Sequence, residues 1–264
     1  VNISIFHLDA FTDRPFAGNP AAVCPLPRWL PEETMQAIAA ENALSETAFL
    51  VREEGGAWHI RWFTPALEVE LCGHATLASA HVVLSRLEPG RRDVTFRSAS
   101  GDLVVRRDGE RLAMIFPRWP LASRTTPEAV RRALGRAPLE ALHGRDWMAV
   151  LAAEEDVRAL EPDLAAVRAL DAQGLIVTAP GAPGSGVDFV SRYFAPAAGI
   201  DEDPVTGSAH CALVPYWSAR LRKKVLAARQ VSQRGGELAC EDLGDAVLIA
   251  GRVTPYLEGS IEVG

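Results

Sequence analysis

Glu46 stands at the start of Glu46-Thr-Ala-Phe-Leu-Val51, where a loop enters a β-rich run. Two readings are open for it. One is a solvated acid at a strand edge, the commoner fate of a glutamate. The other is a general acid/base in a cleft, which needs a carboxyl whose pKa burial raises so that it holds and releases a proton near neutrality. His74, in Cys72-Gly73-His74-Ala75, and Asp203, in Asp201-Glu202-Asp203-Pro204-Val205-Thr206-Gly207-Ser208, form a second set. Asp203 is either a cap or loop acid, or a group that orients His74 or binds a substrate amine. Gly73 and Gly207 permit turns. They also let a substrate carboxylate approach backbone N–H groups, with the His74 and Ser208 amides joining in. Asn19 and the Gln233-Arg234-Gly235-Gly236 loop are further candidates to line a cleft.

These residues need elements to hold them. From Ala75 to Leu84 the only titratable side chain is His81, and Ala, Leu and Val fall on every side of a helical wheel. Such a helix is buried, and it is too short to span a bilayer, which takes about 20 apolar residues. Its first N–H groups are unpaired, a natural place for an anion. Strands are expected at 1–9, 57–63, 92–117, 174–178, 187–194 and 225–263, and helices from Pro31, from Thr126-Pro127-Glu128 and over 162–170. Residues 117–127, rich in proline and polar residues, read as a linker. Pro215 should kink a second apolar helix over 208–220.

A repeat decides the architecture. Arg61-Trp-Phe-Thr-Pro-Ala66 precedes Gly73-His-Ala75, and Arg192-Tyr-Phe-Ala-Pro-Ala197 precedes Gly207-Ser-Ala209. Arg-to-Gly spacing is 12 in the first copy and 15 in the second. The extra residues are expected in the loop holding Asp201-Glu202-Asp203. Arg61 and Arg192 are expected to pair structurally. The fold class is therefore α+β: two pseudo-symmetric halves, each a barrel-like, mostly antiparallel sheet around a central helix. Residues 1–117 form the first half, with a final strand at about 253–264 returning to it, and 118–252 the second; the active site is expected in the cleft between them.

The segments Asp9-Ala-Phe-Thr12, Gly18-Asn-Pro20, Leu44-Ser-Glu-Thr47, Cys72-Gly-His-Ala75 and Asp201–Ser208 resemble, in order, the PhzF family of phenazine-biosynthesis isomerases. That family is similar in fold to diaminopimelate epimerase and proline racemase. The resemblance implies a cofactor-independent isomerase acting on a small carboxylate-bearing metabolite, and a homodimer. It implies Glu46 as the acid/base, with His74, Asp203 and Ser208 in the active site and Asn19, Gly73, Gly207, Cys72 and Thr206 against the substrate. The epimerases place one cysteine in each half; here Cys72 has Thr206 as its counterpart. A one-cysteine epimerase or dehydratase is thus the alternative, with a catalytically silent protein that binds a small carboxylate or a partner as a third reading.

Composition excludes other classes. The 264 residues carry 34 acidic and 27 basic groups, a formal charge of −7, with no basic block longer than Arg222-Lys223-Lys224. That argues against nucleic-acid binding. The four cysteines are widely spaced without a CxxC pair, and no metal site is expected. No signal or membrane segment is recognised, so a cytoplasmic location is expected.

Overall fold

Strands buried on both faces form the middle of the first sheet. The computed structural model describes residues 2–263; Val1 and Gly264, the outer ends of the expected terminal strands, lie outside the described residues. The chain divides into two compact units, Val1–Ile115 with Ala250–Gly264, and Phe116–Ile249. In the first unit Asn2–Ala10 pairs antiparallel with both Val253–Glu262 and Asn19–Leu26. Asn19–Leu26 runs parallel to Glu46–Arg52, and helix Glu32–Asn42 lies in the crossover between them. Trp58–Phe63 follows antiparallel to Glu46–Arg52 and parallel to Asp93–Ser98. Gly101–Asp108 and Arg111–Pro117 then continue the sheet antiparallel.

A parallel strand pair needs cover on both faces. Ala22, Cys24, Leu26 and Phe49 pack with Met35, Ile38 and Ala39 of the outer helix. Alternation puts Ala21, Val23, Glu46, Ala48 and Leu50 on the opposite face, where the helix Gly73–Val82 contacts both strands. That helix is buried from His74 to Ala80 and again at Val82, as its all-round apolar surface requires. Its C-terminal end continues as a π-helical turn, Val83–Leu87.

The turn into Asn19 depends on glycine. Gly18 has φ +67°, and an added Cβ would lie 2.1 Å from the Ala10 carbonyl oxygen. Gly18→Ala should therefore destabilise the protein by about 2–4 kcal/mol. An unchanged denaturation midpoint would show that this turn tolerates a side chain.

The second unit repeats the plan. Ala122–Arg124, Glu140–His143 and Trp147–Val150 are successive antiparallel partners. Leu175–Pro180 runs parallel to Trp147–Val150 and antiparallel to Phe189–Ala195. Val225–Gln230 is parallel to Phe189–Ala195 and antiparallel to Gly236–Asp242. Helices Glu128–Leu134, Glu154–Arg158 and Leu164–Arg168 cover one core with Val130, Val157 and Val167 against Val177, Val190 and Phe194. The other central helix is His210–Leu221. Its Trp217 stacks on Phe189 at 5.8 Å and donates its indole N–H to Thr178 Oγ1 at 2.9 Å.

Three expectations need correction. Residues 117–127 are not a free tether, because Ala122–Arg124 is a paired strand. The second helix begins at His210, after a tight turn over Gly207, Ser208 and Ala209, and it continues through Pro215. Proline removes the N–H that would serve the carbonyl four residues earlier; the Trp119 amide donates to that Cys211 carbonyl at 3.0 Å instead. The stretch Asp201–Asp203 is not a loop but part of the strand Ile200–Asp203. The three extra residues fall between Ala197 and Glu202, where the 3-10 turn Pro196–Ala198 leads into that strand.

The arginines locate that insertion. Arg61 bonds Glu68 at 2.7 and 2.6 Å and lies over Phe63. Arg192 bonds Glu202 at 2.7 and 2.9 Å and lies over Phe194. Glu68 precedes Gly73 by five residues, as Glu202 precedes Gly207, so the copies differ only upstream of the glutamate. Both arginines are held by protein groups, as expected from their place in the repeat. Among the described residues, no helix is long and apolar enough to cross a membrane.

Candidate active site

Register delivers Glu46 to the start of the buried helix. It is the first residue of its strand, opposite Ala21, on the face that the helix covers. Glu46 is 8% exposed and His74 6%, which removes the reading of Glu46 as a solvated edge acid. Glu46 Oε2 and His74 Nε2 are 3.0 Å apart. The contact is off the N–H axis, so neither buried atom has an aligned hydrogen-bond partner. Such pairs commonly tighten only when substrate arrives. On the other side of the ring, His74 Nδ1 lies 3.5 Å from Cys72 Sγ.

Cys72 is the N-cap of the helix, in extended conformation with φ −141°, and no side chain caps the helix start. Thr76 N–H is the first to return to a backbone carbonyl, that of Cys72. The Gly73 and His74 amides have no backbone acceptor among the described residues. Asn19 is fully buried two residues before Ala21, on the same strand face as Glu46 by alternation, and accepts a hydrogen bond from Ser45 Oγ at 3.1 Å.

The second unit places Asp203, Thr206, Gly207 and Ser208 together. Thr206 Oγ1 donates to Asp203 Oδ2 at 2.6 Å. Gln230, 0% exposed, braces both: its amide donates to the Asp203 carbonyl at 2.7 Å and to Thr206 Oγ1 at 3.1 Å, and its carbonyl accepts the Thr206 N–H at 2.9 Å. His210 Nδ1 donates to the Thr206 carbonyl at 2.8 Å. Thr76 Oγ1 makes the equivalent bond to the Cys72 carbonyl at 2.6 Å, so each helix start is tied back by the residue four places on. Ser208 lies in the turn, half-buried, and the Gly207 and Ser208 amides have no backbone acceptor among the described residues.

Sequence reasoning missed Gln230. The signal was present in Val225–Gln230: Leu226, Ala228 and Gln230 share the buried face of an alternating strand. An amide among apolar residues on a buried face must be bonded to something.

Burial by itself would push His74 down, but the Cys72 sulfur and the Glu46 carboxylate raise it well above its ordinary 6.5. Burial pushes the Cys72 thiol up to about 11, with Glu46 adding to the rise and His74 opposing it. The thiol therefore keeps its proton at neutral pH, and the Glu46 carboxyl group stands 3.0 Å from the His74 ring.

Above 6.5 the unfolded chain has lost the His74 proton while the folded chain keeps it, so stability falls as pH rises through the folded value. Cys72 adds a fall of the same sign, only above its ordinary 9.0. Urea midpoints of the wild type should decline from neutral to mildly alkaline pH, and His74→Asn should flatten that decline. Parallel curves for the two proteins would refute a proton held on His74.

The two sheet-and-helix units define the α+β class of the diaminopimelate epimerase-like fold, with a buried acid–imidazole pair at one helix start. The chain belongs to the phenazine biosynthesis-like family (PhzC-PhzF), whose model matches residues 8–259. A relative from Pseudomonas aeruginosa, named as an uncharacterized isomerase, is 54% identical over 98% of this chain and 98% of its own length. The crystal structure of a PhzF-family protein from Enterococcus faecalis superposes with a TM-score of 0.96 at 45% identity, covering 100% of both chains. A hydroxyproline epimerase from Agrobacterium vitis, with trans-4-hydroxy-L-proline bound, matches at a TM-score of 0.60 and 11% identity, over 98% of this chain and 92% of that one. This last likeness is one of fold alone. Together the family and its named isomerases support an isomerase- or epimerase-like function.

Proposed function

We propose that the protein is a cofactor-independent isomerase that moves a proton between carbons of a small carboxylic acid. The observation that carries this is the buried Glu46–His74 pair at 3.0 Å beside a helix start with unpaired amides. Glu46 removes a proton from a carbon activated by the substrate's carboxylate or by conjugation, and returns it at another carbon. His74, charged against Glu46, offers its N–H to the oxygen on which negative charge develops. The Gly73 and His74 amides hold a carboxylate oxygen. Asp203, Ser208 and Gly207 bind the substrate's remaining polar groups, and Asn19, Cys72 and Thr206 contact it. The enzyme works as a homodimer in the cytoplasm.

The one-cysteine alternative has less support. Its base would be a thiolate, and the Cys72 thiol is pushed up to about 11. Its partner hydroxyl on Thr206 already donates to Asp203. A buried Glu46 close to His74 also weighs against a silent binding protein.

The test is exchange in D2O. Unsaturated and amino carboxylic acids are incubated with the protein and read by NMR and mass spectrometry. The expected result is one solvent deuteron at a defined carbon of one class of acid. A protein that binds such acids but exchanges no carbon-bound proton would remove the proposal.

A further inference from the structure

Among the described residues, Glu46, Cys72 and His74 form the group of three metal-ligand side chains whose donor atoms all lie within 4.8 Å of one another, all of them buried. We propose that this group binds Zn2+, with one donor from each side chain, and that the ion shuts the site down. The binding half stands on geometry alone; the inhibition half rests on the isomerase reading above.

The donor set is a thiol, an imidazole and a carboxylate, the three ligand types that zinc takes, and three protein ligands leave a fourth position for water or a substrate carboxylate. Bonds of about 2.0–2.3 Å put tetrahedral ligand atoms roughly 3.3–3.8 Å apart. Cys72 Sγ and His74 Nδ1 are already 3.5 Å apart, and His74 Nε2 and Glu46 Oε2 are 3.0 Å apart. One ring nitrogen serves one ion, so the farthest donor must close by about an ångström, a side-chain rotation.

A second observation points the same way. Glu46 Oε2 and His74 Nε2 are buried without an aligned hydrogen-bond partner, and buried polar atoms normally have one. The ligands also come from rigid elements, a helix start and a strand start. The Cys-x-His spacing is not that of a zinc finger, and the third donor arrives from 26 residues upstream. Spacing alone therefore leads to the expectation of no metal site.

The charges balance. The thiol and the imidazolium each release a proton to solvent as the Zn–S and Zn–N bonds form. One thiolate and one carboxylate then neutralise the divalent ion. Glu46 and His74 are both occupied, so neither is available to move a substrate proton.

The experiment titrates the full chain with Co2+ as a spectroscopic stand-in, then with Zn2+ alone. The expected result is one Co2+ per chain with a thiolate-to-cobalt charge-transfer band, displaced by one equivalent of Zn2+. Cys72→Ser should lose that band, and Zn2+ affinity should fall at least tenfold, since loss of a mere outer-shell partner already costs about 10–100-fold. Glu46→Gln should keep the band and lose at least tenfold in affinity. Cys24→Ser is the control and should match the wild type. Circular dichroism checks that each variant folds, and Glu46→Gln carries the test if Cys72→Ser does not. No cobalt band in the wild type, a band surviving in Cys72→Ser, or unchanged affinity in Glu46→Gln overturns the site. Because binding is read by absorption, its failure leaves the isomerase reading intact. Binding without any loss of deuterium exchange overturns the inhibition alone.

Discussion

Glu46→Gln should lower turnover by about 10²–10⁴-fold, the usual worth of a positioned general acid/base. Glutamine keeps the size and one acceptor oxygen but cannot accept a proton from carbon. Its effect should fall on kcat and not on KM, because the loss is confined to the transition state. Deuterium exchange into substrate should fall by the same factor. Because Glu46 helps to hold the proton on His74, its removal should lower stability whichever role it has, so the turnover of the folded fraction decides. A variant whose denaturation midpoint drops while the remaining folded molecules turn over normally would assign Glu46 to the fold. Glu46→Asp separates the cases further: it keeps the charge but draws the carboxylate back by one methylene, and it should recover stability without recovering full rate.

Gln230→Leu should cost roughly 2–4 kcal/mol of stability, because leucine fills a similar volume but satisfies none of the groups that glutamine serves. The Thr206 amide and the Asp203 carbonyl both lose their Gln230 bonds, and an unmade bond at a buried group costs about 1–3 kcal/mol. Gln230→Glu is the informative companion. It still accepts the Thr206 N–H, but when ionised it cannot donate to the Asp203 carbonyl. Proton uptake would restore the donor, so its stability should improve on acidification while that of Gln230→Leu does not. Both variants should raise KM if Asp203 and Ser208 bind substrate. Wild-type stability in Gln230→Leu would mean that the Asp203–Thr206 segment holds itself without the brace.

The parts legible in the sequence were those written as spacing. Arg-aromatic-Phe-x-Pro-Ala followed by Gly-x-Ala appears twice and implied two related units, because the strand, the turn and the apolar helix each need a distinct residue type in fixed order. Glu46 was legible as a junction residue; its burial was not, since that depends on Ala21 and the Gly73–Val82 helix meeting it from distant positions. The acidic run at 201–203 reads as a loop in the sequence, whereas Glu202 pairs with Arg192 and lies in a strand. Pro215 strands the Cys211 carbonyl, and the sequence does not reveal the Trp119 N–H that serves it. Gln230 belongs to no motif, and its role follows only from three bonds in the folded chain.

The pairing of Asn2–Ala10 with Val253–Glu262 has a consequence for synthesis on the ribosome. The first of these strands leaves the exit tunnel long before its partner is made. At about 5–20 residues per second, the interval is on the order of 10–50 s. The unit Phe116–Ile249 is continuous in sequence and can fold during that wait. The earlier unit cannot close, and Ile3 and Ile5 sit on a strand whose outer hydrogen-bonding groups stay open. Nascent chains are thus most prone to pair with one another just before Val253–Glu262 appears, and slow codons leading into that strand would lengthen the exposure.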